Sequence, residues 1–144
     1  MWRILKDYCY AFTAKCIGQC IAWLPRKLAL FIGVYLGTVV FLLSNREKDK
    51  ACKHLEQSLG IMQPRVGQLV RRSFQNIGKN LMEFMQMPRM STETIHQLVT
   101  FEGREHIDKA LAQGRGAIIL TAHFGNWELL GAKILADGLS LIHI

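Results

Sequence analysis

The sequence predicts an α/β fold class preceded by N-terminal membrane-associated helices, and three observations carry that prediction. An apolar run at residues 117–120 has the length and branched content of a buried strand, and a helical pattern opens after it at Gly125 and Asn126. A second strand-like segment, residues 98–102, connects to the first through a helical stretch at residues 104–113. The order is strand, helix, strand, helix, the start of a parallel arrangement with a right-handed crossover. Residues 2–44, by contrast, are apolar with scattered bases. Two parts follow: membrane-anchor helices over residues 1–44 and the beginning of an α/β domain over residues 45–144.

In the anchor, the longest uninterrupted apolar run is residues 28–44, which as a helix covers about 25 Å against a hydrocarbon core of roughly 30 Å. Residues 8–24 carry Lys15 and Gln19 and read as an interfacial helix, with Pro25, Arg26 and Lys27 as the turn between the two. Arg3 and Lys6 precede an apolar stretch as in a signal peptide, but no small-x-small cleavage site follows, so a retained anchor is expected. Bases flank residues 28–44 on both sides, Arg26 and Lys27 before and Arg46, Lys48 and Lys50 after, so charge bias leaves the topology open. Gly33 and Gly37 would let another helix approach closely, most simply one of the same chain.

Residues 46–59 form a charged helix that Gly60 can close. Pro64 opens the next, whose stripe Val66, Val70, Phe74, Ile77, Leu81, Phe84 and Met85 keeps helical spacing until Pro88. That stripe is expected to face a core, with Arg71, Arg72 and Lys79 on the solvated side. Ser91 can cap a short helix reaching His96, and Gly114 can close the helix at residues 104–113.

The formal charge of +7 is unevenly spread: residues 1–90 hold 14 Lys and Arg against 5 Asp and Glu, residues 91–144 hold 4 against 6. A basic surface beside an apolar anchor favours anionic lipid headgroups. No nucleic acid is expected as a partner, since no binding motif or aromatic-interleaved basic stripe is present. Cys9, Cys16, Cys20 and Cys52 contain no C-x2-C pair, which speaks against a zinc site, and the first three share a helix face as small packing residues. His54, His96, His106 and His143 show no ligand spacing and read as surface or satisfied histidines. Gly114-Arg-Gly116 is too short for a phosphate loop.

His123 is different, because it sits where the predicted strand ends and the helix begins, the edge at which open α/β sheets bind ligands. Glu128, five residues on, is placed to reach back toward an imidazole nitrogen, fix its tautomer and leave the other nitrogen as a base. No serine or cysteine stands beside them and no G-x-S-x-G elbow occurs, so the pair would activate a hydroxyl supplied by the substrate. A purely structural His–Glu pair is the alternative.

The block at residues 116–130, Gly-Ala-Ile-Ile-Leu-Thr-Ala-His-Phe-Gly-Asn-Trp-Glu-Leu-Leu, resembles the signature of the lipid A biosynthesis acyltransferases, the lauroyl and myristoyl transferases with an H-x4-[DE] motif shared with glycerolipid acyltransferases. The likeness extends to Phe101-Glu-Gly-Arg-Glu105, and to Arg72-Ser-Phe-Gln-Asn-Ile-Gly78 with the following Glu83, which is similar to an R-x-F-x-N-x-G pattern. It covers residues 46–138 well and the apolar N-terminus more loosely.

The resemblance implies a glycerolipid-acyltransferase-like α/β domain and acyl transfer from a thioester donor, acyl carrier protein or acyl-CoA. The acceptor would be a hydroxyl of a lipid A precursor or similar glycolipid, at the cytoplasmic side of a bacterial inner membrane. His123 and Glu128 are then the catalytic pair, Gly125, Asn126, Arg72, Asn76 and Glu83 line the substrate, and no metal or cofactor is needed. Alternatives are transfer to another glycolipid or a lysophospholipid, or a non-catalytic membrane-anchored module. Two strands are fewer than such a sheet needs, so the chain is expected to be the N-terminal part of a longer protein and inactive by itself, with residues 139–144 of doubtful origin.

Overall fold

The computed structural model describes residues 2–60 and 62–142. Among these, seven α-helices and one 3-10 turn account for all the regular structure. They fall into two compact units that divide between Arg89 and Met90.

In the first unit, α1 (Trp2–Ala22) leads through Trp23, Leu24 and Pro25 into α2 (Arg26–Leu43), followed by α3 (Asn45–Leu59) and α4 (Arg65–Gln86). Pro25 sits just outside α2, where its fixed φ suits a helix start and its missing N–H costs nothing; Arg26 and Lys27 thus belong to the helix rather than to the turn. Gly60 ends α3 in the left-handed conformation, φ 63°. Pro64 precedes α4, and the 3-10 turn Met87–Arg89, containing Pro88, ends it. α2 is the one described helix long and apolar enough to cross a membrane by length and composition.

The unit is built on the contact between α2 and α4. Gly33, Gly37 and Gly78 are all buried there, and a Cβ added at Gly33 would lie 2.6 Å from the carbonyl oxygen of Gly78. Backbone therefore meets backbone, as the Gly33/Gly37 spacing suggested, and small residues are what allow it. Beyond the glycines, toward the C-terminal end of α2, the Gln75 amide donates to the Thr38 hydroxyl at 2.9 Å, and Phe41 meets Phe74 edge-on at 5.8 Å.

The expected core stripe of α4 holds only in part. Val66 and Val70 are buried, but Ile77, Leu81 and Phe84 are exposed, and in the second half of the helix the buried positions are Gly78, Met82, Glu83 and Gln86. Gly78 must face α2, which turns the Ile77 flank outward. The buried polar side chains instead secure the turn between α1 and α2. Gln86 Nε2 donates to the carbonyls of Ile21 at 3.1 Å and Leu24 at 2.7 Å, and Glu83 takes an ion pair from Arg26. The Arg89 guanidinium stacks 3.4 Å above the Trp23 ring.

The second unit consists of α5 (Thr92–Leu98), α6 (Arg104–Leu111) and α7 (Trp127–Ala136). The Ser91 hydroxyl accepts from the Thr94 N–H at 3.2 Å and caps α5, as its sequence position indicates. Ile95, Leu129, Ala132 and Ile134 form a small apolar core. Beside it the buried Lys133 ammonium bonds Asp137 and approaches His96 Nδ1 at 3.0 Å, and Asp137 also accepts from Arg104 at 3.2 Å. One residue from each helix, and Asp137 just beyond α7, are joined in this way.

The α/β prediction is overturned: no strand occurs among the described residues. Leu98 closes α5, and Val99 has extended dihedrals, φ −127° and ψ 115°, but no neighbouring strand pairs with it. Residues 116–121 are likewise irregular, with Ile118 89% and Leu120 97% exposed. Branched apolar side chains favour the strand conformation, whereas a strand is made by the ladder, and an isolated pair of short strands is marginal in water. The strand–helix–strand crossover falls with it.

Candidate active site

Residues 112–125 form the longest irregular segment of the second unit, and all of them are exposed. Gly114, Gly116 and Gly125 take positive φ of 72°, 76° and 61°, where other residues are strained. The Phe124 N–H donates to the Ala122 carbonyl at 2.7 Å, a three-residue turn with His123 at its apex. Asn126 then starts α7, its side-chain oxygen accepting from the Leu129 N–H at 3.1 Å. A tight turn followed by a capped helix thus presents His123 to solvent next to a helix N-terminus.

Glu128 lies in the first turn of α7 and is half-buried. No hydrogen bond or ion pair joins it to His123 among the described residues. The imidazole instead meets Trp127 edge-on, with ring centroids 4.6 Å apart. An exposed imidazole held by an aromatic ring can take a proton from an incoming hydroxyl.

The other expected site residues belong to the first unit. Arg72 and Asn76 are exposed on one side of α4, while Glu83 is buried against Arg26. A concavity at the α2–α3–α4 junction is lined by Phe41, Lys48, Cys52, Lys53 and Gln63. Cys16 and Cys20 are exposed on α1 rather than packed; the side chain of Cys9 and the whole of His143 lie outside the described residues. His54 and His106 are on the surface.

The Lys133, Asp137, His96 and Arg104 cluster was not singled out by the sequence, although Lys133 and Asp137 stand at the i, i+4 spacing of a helical ion pair. The Lys133 hydrogen bond holds the Asp137 carboxyl below the usual carboxylate range, with the charges of Lys133, His96 and Arg104 acting in the same direction against partial burial. Arg104 is raised above its ordinary value, first by its hydrogen bond to Asp108 and then by both carboxylates.

The profile of the bacterial lipid A biosynthesis acyltransferases matches residues 2–138. The chain is also similar to a phosphatidylinositol mannoside acyltransferase of Mycobacterium tuberculosis (strain CDC 1551 / Oshkosh), 30% identical over 82 residues. That match takes in 55% of this chain and 26% of the relative, so the chain spans only about a quarter of the relative's length. No solved structure matches.

Proposed function

Because the chain belongs to the bacterial lipid A biosynthesis acyltransferase family, we propose that it carries the acceptor-activating part of an enzyme that moves a fatty acyl group from a thioester to a glycolipid hydroxyl. The observation that supports this reading most is His123 at the apex of a tight exposed turn, immediately before a capped helix that brings Glu128.

In this reading His123 removes the proton from the acceptor hydroxyl as its oxygen attacks the thioester carbonyl. The tetrahedral intermediate collapses with cleavage of the carbon–sulfur bond, an ester forms, and the thiolate leaves with the proton returned by the imidazolium. Glu128 holds the imidazole and stabilises its charged form, by analogy with the carboxylate of hydrolase triads. Gly125 and Asn126 shape the turn the acceptor approaches, and Arg72 and Asn76 offer exposed polar contacts for substrate. Glu83, the other polar residue expected to contact substrate, is taken up by its ion pair with Arg26. The donor is acyl carrier protein or acyl-CoA, the acceptor a lipid A precursor, and the setting the cytoplasmic face of a bacterial inner membrane, with residues 1–44 as anchor.

A second reading, transfer to another glycolipid, draws support from the similar mycobacterial protein, whose name gives a mannoside-bearing lipid as its acceptor. The test is transfer of a labelled acyl group by membranes containing the protein, offered acyl carrier protein or coenzyme A thioesters with a lipid A precursor, a phosphatidylinositol mannoside or a lysophospholipid. Labelled lipid A precursor that disappears in the His123→Ala protein supports the first reading, and labelled mannoside alone the second. Transfer unaffected by His123→Ala removes the mechanism.

A further inference from the structure

α2 carries no charged side chain from Leu28 to Leu43, and Phe31, Tyr35, Leu42 and Leu43 are exposed on it. A helix with such an outward surface calls for lipid. Crossing the bilayer is the simplest way to supply it, yet α4 stands in the way. Gly33 and Gly37, near the middle of α2, touch Gly78 and Phe74, so the middle of α4 is level with the middle of α2. Arg72, Asn76 and Lys79 lie within about one helical turn of that level, and Arg72 and Asn76 are exposed. With α2 along the membrane normal, these groups would sit near the bilayer centre, where charge is costly. At 18 residues α2 is also about 27 Å long, short of a hydrocarbon core of roughly 30 Å.

Laid flat, the same pair of helices meets no such conflict. Exposed Ile77, Leu81 and Phe84 share one flank of α4, at spacings of four and three. Arg72, Asn76 and Lys79 repeat those spacings on the other, roughly 140° away across the side turned from α2 on a helix of 100° per residue, with Gly78 facing α2 in the wider arc behind them. One flank is apolar and continuous in character with α2; the other is cationic. Lys27 in the first turn of α2 and Arg46 and Lys48 beyond its end then have one explanation, since both ends meet the same anionic surface.

We propose that α2 and the Ile77–Leu81–Phe84 flank of α4 are buried side-on in a single leaflet of anionic lipid, so that α2 is held at one membrane face and does not cross it. This rests on the reading that the protein works at a membrane, and the two are tested separately. Sedimentation with phosphatidylglycerol-containing vesicles that resists a high-salt wash tests the membrane reading, because burial of apolar surface is little screened by salt.

Sidedness tests the inference itself. In the full chain with its native cysteines replaced by alanine, Lys27→Cys and Asn45→Cys mark the two ends of α2. Spheroplasts and inverted vesicles from cells making each protein are treated with a membrane-impermeant maleimide. Both positions are expected to react from the same side; reaction from opposite sides means that α2 crosses and overturns the proposal. Independently, an environment-sensitive fluorophore on Leu81→Cys should shift to the blue on vesicle binding while one on Lys79→Cys should not. Equal shifts at both positions, or at neither, also overturn it. A chain that fails to sediment overturns both readings, leaving a protein partner for the apolar surface.

Discussion

Gly33 in α2 and Gly78 in α4 face each other so closely that a Cβ on Gly33 would come within 2.6 Å of the Gly78 carbonyl oxygen. The obstacle is backbone, which cannot rotate aside as a side chain can. Gly78→Ala should therefore push the helices apart and lower stability by about 1–3 kcal/mol, the usual range for overpacking. Gly18→Ala is the matched control: nothing lies within 4 Å of that position in α1, so the better helix former should stabilise by up to about 1 kcal/mol. Thermal unfolding in detergent should show the two alanines with opposite signs.

The Arg26–Glu83 pair should respond unequally to its two truncations. The Arg26 side chain is 41% exposed and that of Glu83 only 8%. Arg26→Ala takes the cation from a largely desolvated carboxylate and should cost about 2–3 kcal/mol, less than a fully buried pair because one partner still meets water. Glu83→Gln returns the arginine to solvent and should cost about 1 kcal/mol. The double variant should be more stable than Arg26→Ala alone; a double-variant loss in chemical unfolding equal to the sum of the two single losses would show that the pair is not coupled.

Acid should loosen the second unit. The folded-state pKa of Asp137 lies below its unfolded value, so its contribution is complete above about pH 4, the ordinary aspartate range, and is lost as pH falls through the depressed value. Protection factors in α5 and α7, which are corrected for the slower intrinsic amide exchange in acid, should fall as the pH drops in the native protein. Asp137→Asn should already show the lower protection at neutral pH and change little further on acidification.

For the chemistry, His123→Ala should lower acyl transfer about 10²- to 10⁴-fold, the range general-base catalysis supplies, in whatever membrane preparation carries the activity. Glu128→Gln should lower it less or similarly, whereas His54→Ala, on the surface of α3, should leave it unchanged. A Glu128→Gln protein of full activity would make the H-x4-E spacing structural only.

What could be read from the residues was local. Ser91 and Asn126 cap the helices that follow them, Gly60 closes α3, Pro64 and Pro88 bracket α4, and Gly33 with Gly37 marks a close helix contact. Each of these rests on a few adjacent groups. The strands at residues 98–102 and 116–121 failed because pairing is a property of two segments, not one. The outward turn of Ile77, Leu81 and Phe84 was equally hidden: periodicity finds an apolar stripe but not which neighbour, here α2 through Gly78, sets the helix rotation. At the candidate site, His123 and its helix start were legible, while its contact with Trp127 depends on the turn at Ala122 to Phe124.

The exposed run from residue 112 to 125 also decides where the chain is first cut. Trypsin needs several residues of main chain free of helix to draw into its cleft, and Arg115 already offers them, exposed between Gly114 and Gly116. Arg71 and Arg72 are exposed too, but inside α4, where cleavage must wait for hydrogen-bonded turns to open. Brief digestion should therefore nick after Arg115 well before it reaches α4, and the new amino terminus, Gly116, would lie seven residues before His123. The residue best presented to a substrate is carried on the stretch most easily presented to a protease.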